Sequence, residues 1–188
     1  MNDAAAIVAS AVDGDSLVDL VREAVRIPSI TADEGRFADW VKSRLEESDW
    51  NEVDLVEVER GRPNVYARAG AGENGARSLV LAGHLDTVHA EDWGHQWQGD
   101  ERADPFAGRV INGEIWARGV TDQKGGICSI IESVRAINRA GYRLRGSVTG
   151  LFVCDEESGQ PGTGLSLGMR AAVRDLFEGS GGPPDFAI

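Results

Sequence analysis

The chain has 188 residues, of which 41% are hydrophobic, and it carries a formal net charge of -12 with a pI near 4.6. This length suffices for one soluble domain with a sizeable core. The acidic balance argues against nucleic acids and anionic membranes as partners, because those surfaces are bound by clustered Lys and Arg side chains.

The amino terminus and the cysteines indicate the compartment. The first ten residues include Asp3 and only a brief apolar run, so they do not resemble a signal peptide. No apolar run approaches the roughly 20 residues of a membrane-spanning helix. Cys128 and Cys154 each lie in an apolar stretch, where a small buried thiol is usual. We therefore expect a cytoplasmic protein in a reducing compartment, with no membrane contact.

Two amphipathic helices are predicted first. The earlier one places its apolar residues on one stripe: Leu17, Leu20, Val21 and Ala24. Asp15 or Ser16 is its expected cap. Thr31 and Glu34 have the spacing of a capping box, and the second helix is expected to run from there to about Glu47.

Three strands are predicted next, because the pattern changes to short β-favouring runs. They cover Val53–Val58, Asn64–Ala69 and Ser78–Ala82. Between the second and third, the segment Gly70–Ala76 is rich in glycine and contains Asn74-Gly75. This composition predicts a hairpin-type turn that joins the two strands.

A long polar segment separates these strands from the next helix. Residues Ala90–Ala107 are expected to form a loop over the protein, and loops of this length are often functional. A short hairpin is predicted from Val110–Ile111 and Glu114–Trp116. A buried amphipathic helix is then expected from about Gln123 to Asn138.

The last apolar strand ends abruptly in acidic residues. Ser147–Cys154 is β-rich, and Asp155–Glu157 follows it directly. Open α/β sheets place ligands at the carboxyl ends of their strands. We therefore expect these three carboxylates at a functional edge of the sheet.

The carboxyl-terminal part is expected to be incomplete. A glycine-rich stretch, Gly159–Gly168, leads into a predicted helix through Phe177, and Gly179–Pro184 interrupts it. Asp185 then starts a strand. Because a domain seldom stops at the start of an unpaired core strand, we expect more chain to follow.

Three polar clusters each follow a strand or open a helix: His84 with Asp86, Asp122, and Asp155–Glu157. Neighbouring strands of an α/β sheet would bring all three to one edge. So many carboxylates would repel one another, and a divalent cation relieves that repulsion. One imidazole among carboxylates favours Zn²⁺ or a similar first-row ion, with Co²⁺ and Mn²⁺ also suitable.

The pairs within these clusters suggest separate roles. On an extended segment, His84 and Asp86 point to the same side, so Asp86 can accept the second imidazole N–H and hold the tautomer that ligates a metal. Glu156 and Glu157 are adjacent and would point to opposite sides. One of them can then bind the metal while the other moves protons.

Three segments together resemble one known family: Gly83–Val88 (GHLDTV), Arg118–Gly126 (RGVTDQKGG) and Asp155–Gly159 (DEESG), with Asp104–Phe106 in support. Their order and spacing resemble those of the co-catalytic zinc amidohydrolases. That family includes acetylornithine deacetylase, succinyl-diaminopimelate desuccinylase, aminoacylase, glutamate carboxypeptidase and related dipeptidases. The resemblance covers Ile27 to the end of the chain.

The resemblance implies a fold, an activity and a set of partners. The fold would be a three-layer α/β/α domain with a mixed central sheet, as in zinc exopeptidases. Residues 1–188 would be a partial catalytic domain, without the smaller lid and dimerisation domain. The activity would be hydrolysis of amide bonds in N-acyl amino acids or small peptides, a deacetylase, desuccinylase or carboxypeptidase reaction. The full-length protein could then form a homodimer.

The resemblance also implies a role for each site residue. His84 would ligate one of two zinc ions, Asp122 would bridge both, and Glu157 would ligate the other. Asp86 would orient His84. Glu156 would be the general base that takes a proton from zinc-activated water and later delivers it to the leaving amine.

The sequence departs from the family pattern in two respects. Gln123 stands where relatives often have Met, at a position that contributes backbone geometry, including a cis peptide bond in relatives; we expect this change to be tolerated. The chain also stops before two further ligands of the family, an acidic residue after the last strand and a distant His. Asp185 is a doubtful substitute for the acidic ligand.

Other interpretations remain open at this stage. The same motifs would suit a non-catalytic metal-binding or interaction module. His84 could be a core histidine, Asp122 a helix cap alone, and Asp155–Glu157 a solvated strand end. A thiol hydrolase using Cys154 and His84 is disfavoured because a buried strand disfavours the thiolate.

Several other residues are expected to be structural. His89 and His95 are expected to be solvated. Trp93 and Trp97 are expected to pack within the polar loop, and Lys124 to serve the turn in which it lies.

Overall fold

The computed structural model describes residues 3–157, 166–178 and 183–188. Its helices are α1 (Asp3–Ser10), α2 (Gly14–Val25), α3 (Gly35–Glu46), α4 (Trp93–Gln96), α5 (Gly125–Arg139) and α6 (Leu167–Val173). Its strands are β1 (Glu52–Glu59), β2 (Arg62–Gly70), β3 (Ser78–His84), β4 (Arg109–Ile111), β5 (Glu114–Trp116), β6 (Ser147–Val153) and β7 (Phe186–Ala187). None of the described helices is long and apolar enough to cross a membrane.

Five strands form one mixed sheet in the order β1-β2-β6-β3-β7. Strand β2 is antiparallel to β1 and β6, whereas β3 is parallel to β6 and β7. Strands β4 and β5 form a separate two-stranded hairpin, as predicted. The predicted mixed α/β fold is therefore confirmed.

Helices cover both faces of the sheet and give the three predicted layers. On one face, α2, α3 and α5 bury side chains such as Phe37, Leu45 and Ile127 in the larger hydrophobic cluster. On the other face, α6 packs against a smaller cluster that includes Tyr66 and Leu151. Strands β3 and β6 are nearly continuous apolar runs because both of their faces are covered, whereas the edge strand β1 alternates with acidic residues.

The predicted hairpin between β2 and β3 is wrong. Strand β6 lies between them, so residues 71–77 cross from one strand to a strand two positions away. The Asn74-Gly75 pair does make a turn, with Gly75 at a φ of 76°. A local turn signal does not determine which strands pair, because a strand from elsewhere in the chain can insert between them.

The helix ends also differ from the predicted ones. The side chain of Asp13, not Asp15 or Ser16, caps α2 by accepting the N–H of Ser16 at 3.0 Å. The expected Thr31–Glu34 capping box is absent, since α3 begins at Gly35 and Glu34 makes no side-chain cap. The short helix α1 was not expected, and it contributes no buried residue.

The carboxyl-terminal predictions are tested in part. The predicted helix is present as α6 and is followed by a π-helical turn at Arg174–Glu178. The predicted last strand is present as β7. Most of the glycine-rich stretch Gly159–Gly168, and residues 179–182 of the segment Gly179–Pro184, lie outside the described residues.

Candidate metal centre

The candidate centre lies where β3 and β6 end side by side. His84 is the last residue of β3 and pairs in register with Val153, the last residue of β6. The chain after β6 turns at Asp155, whose φ is 63°, and continues into Glu156 and Glu157. Because the two strands are parallel neighbours, the imidazole and this acidic turn meet at one edge of the sheet.

Asp122 reaches the same edge from the segment that precedes α5. Gly119, with a φ of 78°, starts this segment; a Cβ there would lie 2.6 Å from the methyl group of Thr87, so only glycine fits. The peptide bond between Asp122 and Gln123 is cis, as the family resemblance implied. The Gln123 side-chain oxygen then accepts the backbone N–H of His84 at 3.1 Å and joins the segment to β3.

His84, Asp122 and Glu157 form a compact group of possible metal ligands. One ligand atom from each residue lies within 4.8 Å of the others. The Nε2 atom of His84 is 2.8 Å from Oδ1 of Asp122. The Asp122 side chain is 71% exposed, so much of its carboxylate is open to a further ligand or ion.

The charges in this group favour a cation. Burial lowers the pKa of His84, but hydrogen bonds to Asp86 and Asp122 outweigh burial and raise the pKa to about 9. Burial, and then the nearby negative charge of Asp122, raises the pKa of Glu157. A proton on Nε2 of His84 therefore supplies positive charge that a divalent ion could supply instead. The imidazole-carboxylate donor set suits zinc.

Asp86 connects the two strand ends beneath the group. It is fully buried, and its carboxylate accepts the backbone N–H groups of Glu156 and Glu157, both at 3.0 Å, and the Thr31 hydroxyl at 2.9 Å. Burial raises the pKa of Asp86, but hydrogen bonds, that to His84 foremost, outweigh burial and lower it. Asp86 therefore fixes the acidic turn as well as facing His84.

The contact between Asp86 and His84 differs in detail from the expected one. The Nδ1 atom of His84 lies 2.9 Å from the backbone oxygen of Asp86 and 3.5 Å from its carboxylate. The main-chain carbonyl is thus the nearer acceptor. Either contact leaves Nε2 as the nitrogen that faces Asp122.

Glu156 is separate from the three grouped residues. It is exposed, whereas Glu157 is half-buried and belongs to the group. The two adjacent carboxylates therefore lie in different surroundings.

A buried ion-pair network behind the turn was not expected from the sequence. Arg62 at the start of β2 binds both Glu34 and Asp155. The Thr31–Glu34 spacing draws attention to Glu34, but the pattern predicts a helix cap and not an ion pair with Arg62. Only the pairing of β2 with β6 shows that Arg62 and Asp155 are neighbours.

Other candidate residues lie elsewhere. Burial raises the pKa of the Cys154 thiol to about 12, which disfavours a nucleophilic thiolate. Lys124 is buried and donates to the backbone oxygens of Ala24 and Ile27. It therefore joins its own turn to the end of α2, which agrees with the structural role predicted for it. His95 is 86% exposed.

Asp185 binds Ser78 at the start of β3, about 20 Å from His84 along the strand, and is not a ligand here.

A cleft of about 560 Å³ opens beside Asp122 and Glu157. Its wall includes Trp93 from the polar loop, Trp116 from β5, and Arg118. Trp97 instead packs edge-on against Trp116 at 5.2 Å, as expected of loop packing. The Arg118 guanidinium lies 5.3 Å from the Trp93 ring centre, and its buried Nε has no hydrogen-bond partner among the described residues.

A mixed α/β sheet with an imidazole-carboxylate group at its carboxyl edge defines the class of metal-dependent exopeptidase-like folds. Residues 80–188 match the model of the peptidase family M20/M25/M40. The chain therefore belongs to this family, which is metal-dependent.

Individual relatives agree with this assignment. The chain is 35% identical to a succinyl-diaminopimelate desuccinylase of Beijerinckia indica over 149 residues, which cover 76% of this chain and 36% of that protein. The chain thus spans about a third of the length of the curated relatives that it matches.

Solved structures share the fold. The dipeptidase Dug1p of Saccharomyces cerevisiae superimposes with a TM-score of 0.70 at 20% identity, covering 82% of this chain and 35% of that one. The M20 family metallo-carboxypeptidase Sso-CP2 of Sulfolobus solfataricus gives 0.63 at 22% identity, covering 75% and 31%.

Proposed function

We propose that residues 1–188 are the metal-binding part of the catalytic domain of a zinc-dependent hydrolase. The enzyme would cleave amide bonds in N-acyl amino acids or small peptides. The observation that carries this proposal is the grouping of His84, Asp122 and Glu157 within 4.8 Å at the carboxyl edge of the sheet. Membership of a metal-dependent peptidase family supports it.

His84, Asp122 and Glu157 would hold two zinc ions, with Asp122 shared between them. The exposure of the Asp122 side chain supports sharing, because one oxygen lies against His84 while the carboxylate stays open. Cobalt and manganese would suit the same ligands. When bound, the ions would polarise the scissile carbonyl and lower the pKa of a water molecule toward about 7.

The remaining residues would position groups and move a proton. Asp86 would hold the tautomer of His84 through Nδ1 and keep the acidic turn in place through its carboxylate. The Glu156 carboxylate would take a proton from the attacking water and deliver it to the leaving nitrogen. Its exposed position next to Glu157 and outside the group of three ligands supports that role.

The cleft beside Asp122 and Glu157 would receive the substrate. Arg118 and Trp93 line it, and the guanidinium of Arg118 suits a carboxylate on the acyl group or amino acid. The relatives at 32–36% identity are named succinyl-diaminopimelate desuccinylases. We therefore propose N-succinyl amino acids ahead of N-acetyl amino acids as substrates.

The test combines metal binding with turnover. Zinc would be titrated into the chelator-treated chain by calorimetry, and release of free amine from N-succinyl and N-acetyl amino acids would be measured with and without added chelator. We expect stoichiometric zinc binding and chelator-sensitive turnover. No zinc binding would overturn the proposal.

The alternative is a non-catalytic metal-binding module. The span of the chain, about a third of its relatives, favours testing this alternative directly. Stoichiometric zinc binding without turnover of either substrate would support the module for this chain.

A further inference from the structure

Three charged side chains form a buried network directly behind the acidic turn. Arg62 donates through Nη2 to Oε1 of Glu34 at 2.8 Å and to Oδ1 of Asp155 at 2.7 Å, and through Nε to Oε2 of Glu34 at 3.1 Å. The exposed fractions are 12% for Arg62, 0% for Glu34 and 6% for Asp155. The guanidinium therefore joins three elements: the chain before α3, the start of β2 and the end of β6.

Stability alone does not account for this network. Two buried carboxylates share one guanidinium, and the exposed Glu59 makes a longer contact to it at 3.4 Å, so negative charge is in excess around Arg62. Replacing such buried ion pairs by apolar side chains is often neutral or stabilising, because removing charges from water is costly. The network lies directly beside the acidic turn, and this position indicates its role better than its contribution to stability does.

Asp155 is the residue immediately before Glu156 and Glu157. Its backbone is in the left-handed region, with a φ of 63°, which is uncommon for residues other than glycine, although aspartate adopts it more readily than most. Oδ1 accepts from Arg62, and Oδ2 accepts the backbone N–H of Leu167 at 3.2 Å. Both oxygens of the side chain are thus held by fixed donors.

The acidic turn is consequently held from two sides. Asp86 binds the backbone N–H groups of Glu156 and Glu157 from the β3 side. Arg62 binds the side chain of Asp155 from the β2 side. If either contact is lost, the turn can rotate, and the direction in which Glu157 leaves the backbone changes relative to His84.

We propose that Arg62, held by Glu34, is a positioning residue for the metal centre. It fixes Asp155 and so places Glu157 close to His84 and Asp122. This inference rests on the proposed function, since it requires that the group binds metal. Among the described residues, the Arg62 side chain donates to the carboxylates of Glu34, Glu59 and Asp155, and it belongs neither to the lining of the cleft nor to the three grouped residues.

The test compares Arg62→Met and Arg62→Lys with the unmodified chain. Metal affinity is measured by competition with a chromophoric chelator, and ligand geometry by the visible absorption spectrum of the Co²⁺-loaded chain. We expect Arg62→Met to lower the affinity about 10- to 100-fold, as loss of groups that orient ligands does, and to change the spectrum. Arg62→Lys keeps the charge without the two-pronged contact, so we expect partial rescue.

Arg139→Met is the matched control. It removes another ion pair with a buried partner, that of Arg139 with Glu132 on α5, which lies far along the helix from Asp122. We expect this variant to lower the free energy of unfolding of the metal-free chain while leaving the affinity for Co²⁺ and the spectrum of the bound ion unchanged.

The outcomes separate the two proposals. An unmodified chain that binds no metal would overturn the proposed function. An unmodified chain that binds metal, together with an Arg62→Met variant of equal affinity and spectrum, would overturn this inference alone. If Arg62→Met does not fold, Arg62→Lys carries the test, since it keeps the charge but not the two-pronged contact; an affinity and spectrum equal to those of the unmodified chain would then overturn this inference.

Discussion

At the scale of single residues, the centre depends on one imidazole. Nδ1 of His84 is engaged by Asp86, so Nε2 is left to face Asp122. We expect His84→Ala to reduce zinc affinity by about 100-fold or more, because a ligand is lost rather than a group that orients one. His95→Ala is the control, since that side chain is solvated. Equal zinc affinity of both variants, measured with a chromophoric chelator, would remove His84 from the ligand set.

Glu156 and Glu157 are adjacent, yet we assign them different roles. We expect Glu156→Gln to keep zinc affinity within about threefold and to lower turnover by about 10²- to 10⁴-fold, because only proton transfer is removed. Zinc binding and amine release would be measured on the same preparation. Loss of zinc from Glu156→Gln would instead identify Glu156 as a ligand. Glu91→Gln, in the exposed loop after β3, should change neither quantity.

Arg118 is the residue that we expect to distinguish acyl groups. A charge-assisted hydrogen bond to a substrate carboxylate is worth about 1.5–3 kcal/mol, or roughly 10- to 100-fold in affinity. We expect Arg118→Gln to weaken binding of an N-succinyl amino acid to the zinc-loaded chain by that factor and binding of the N-acetyl analogue far less. Calorimetry measures both. Arg145→Gln, an exposed arginine paired with Glu73, is the control; equal losses for the two ligands in Arg118→Gln would contradict the assignment.

At the scale of elements, helix α6 sits close to β6 because Gly168 has no side chain. A Cβ at this position would lie 2.4 Å from the backbone oxygen of Cys154 and 2.6 Å from the side-chain oxygen of Asn64. The neighbouring Asp155 begins the acidic turn, so a shift of α6 would reach the candidate centre.

We therefore expect Gly168→Ala to lower the free energy of unfolding by about 1–3 kcal/mol, as overpacking does. Urea denaturation of the metal-free chain measures it. Gly14→Ala is the control, because nothing lies within 4 Å of the added Cβ and alanine favours a helix by up to about 1 kcal/mol. A Gly168→Ala variant with the same free energy of unfolding as the unmodified chain would show that α6 can shift to accommodate the methyl group without loss of stability.

The elements also show how far sequence patterns extend. Strands β2, β3 and β6 are predicted from β-favouring or nearly continuous apolar runs, and α5 is predicted from the helical spacing of its apolar residues. The pairing of β2 with β3 was predicted wrongly, since a turn signal is local whereas β6 arrives from far along the chain. Helix α1 was missed because it buries no side chain and so has no apolar stripe to detect.

The candidate centre was easier to predict than the contacts that support it. His84, Asp122 and Glu157 are each marked by a strand end or a helix start, and these positions converge in any sheet with neighbouring parallel strands. Arg62 and Gln123 carry no such mark. Their contacts, to Asp155 and to the backbone of His84, depend on the strand order and on the course of the chain before α5.

At the scale of the whole molecule, zinc should stabilise the fold, because the proposed ligands come from three distant parts of the chain. At a free concentration about 100 times the dissociation constant, binding adds about 2.7 kcal/mol, which corresponds to a rise in melting temperature of roughly 5–10 °C. Differential scanning calorimetry measures the rise, and a chelator should reverse it.

Mg²⁺ at the same concentration should give a smaller rise, since it prefers oxygen ligands. An equal zinc-induced rise in His84→Ala would show that the ion stabilises the chain from another site.

The insertion of β6 between β2 and β3 has a consequence for the order of folding. His84 and the acidic turn belong to paired strands about 70 residues apart in the chain, so the centre requires closure of a long loop. The β1–β2 hairpin, by contrast, is local. If the β3–β6 pairing forms after the rate-limiting step, a bound ion would slow unfolding and leave the refolding rate nearly unchanged.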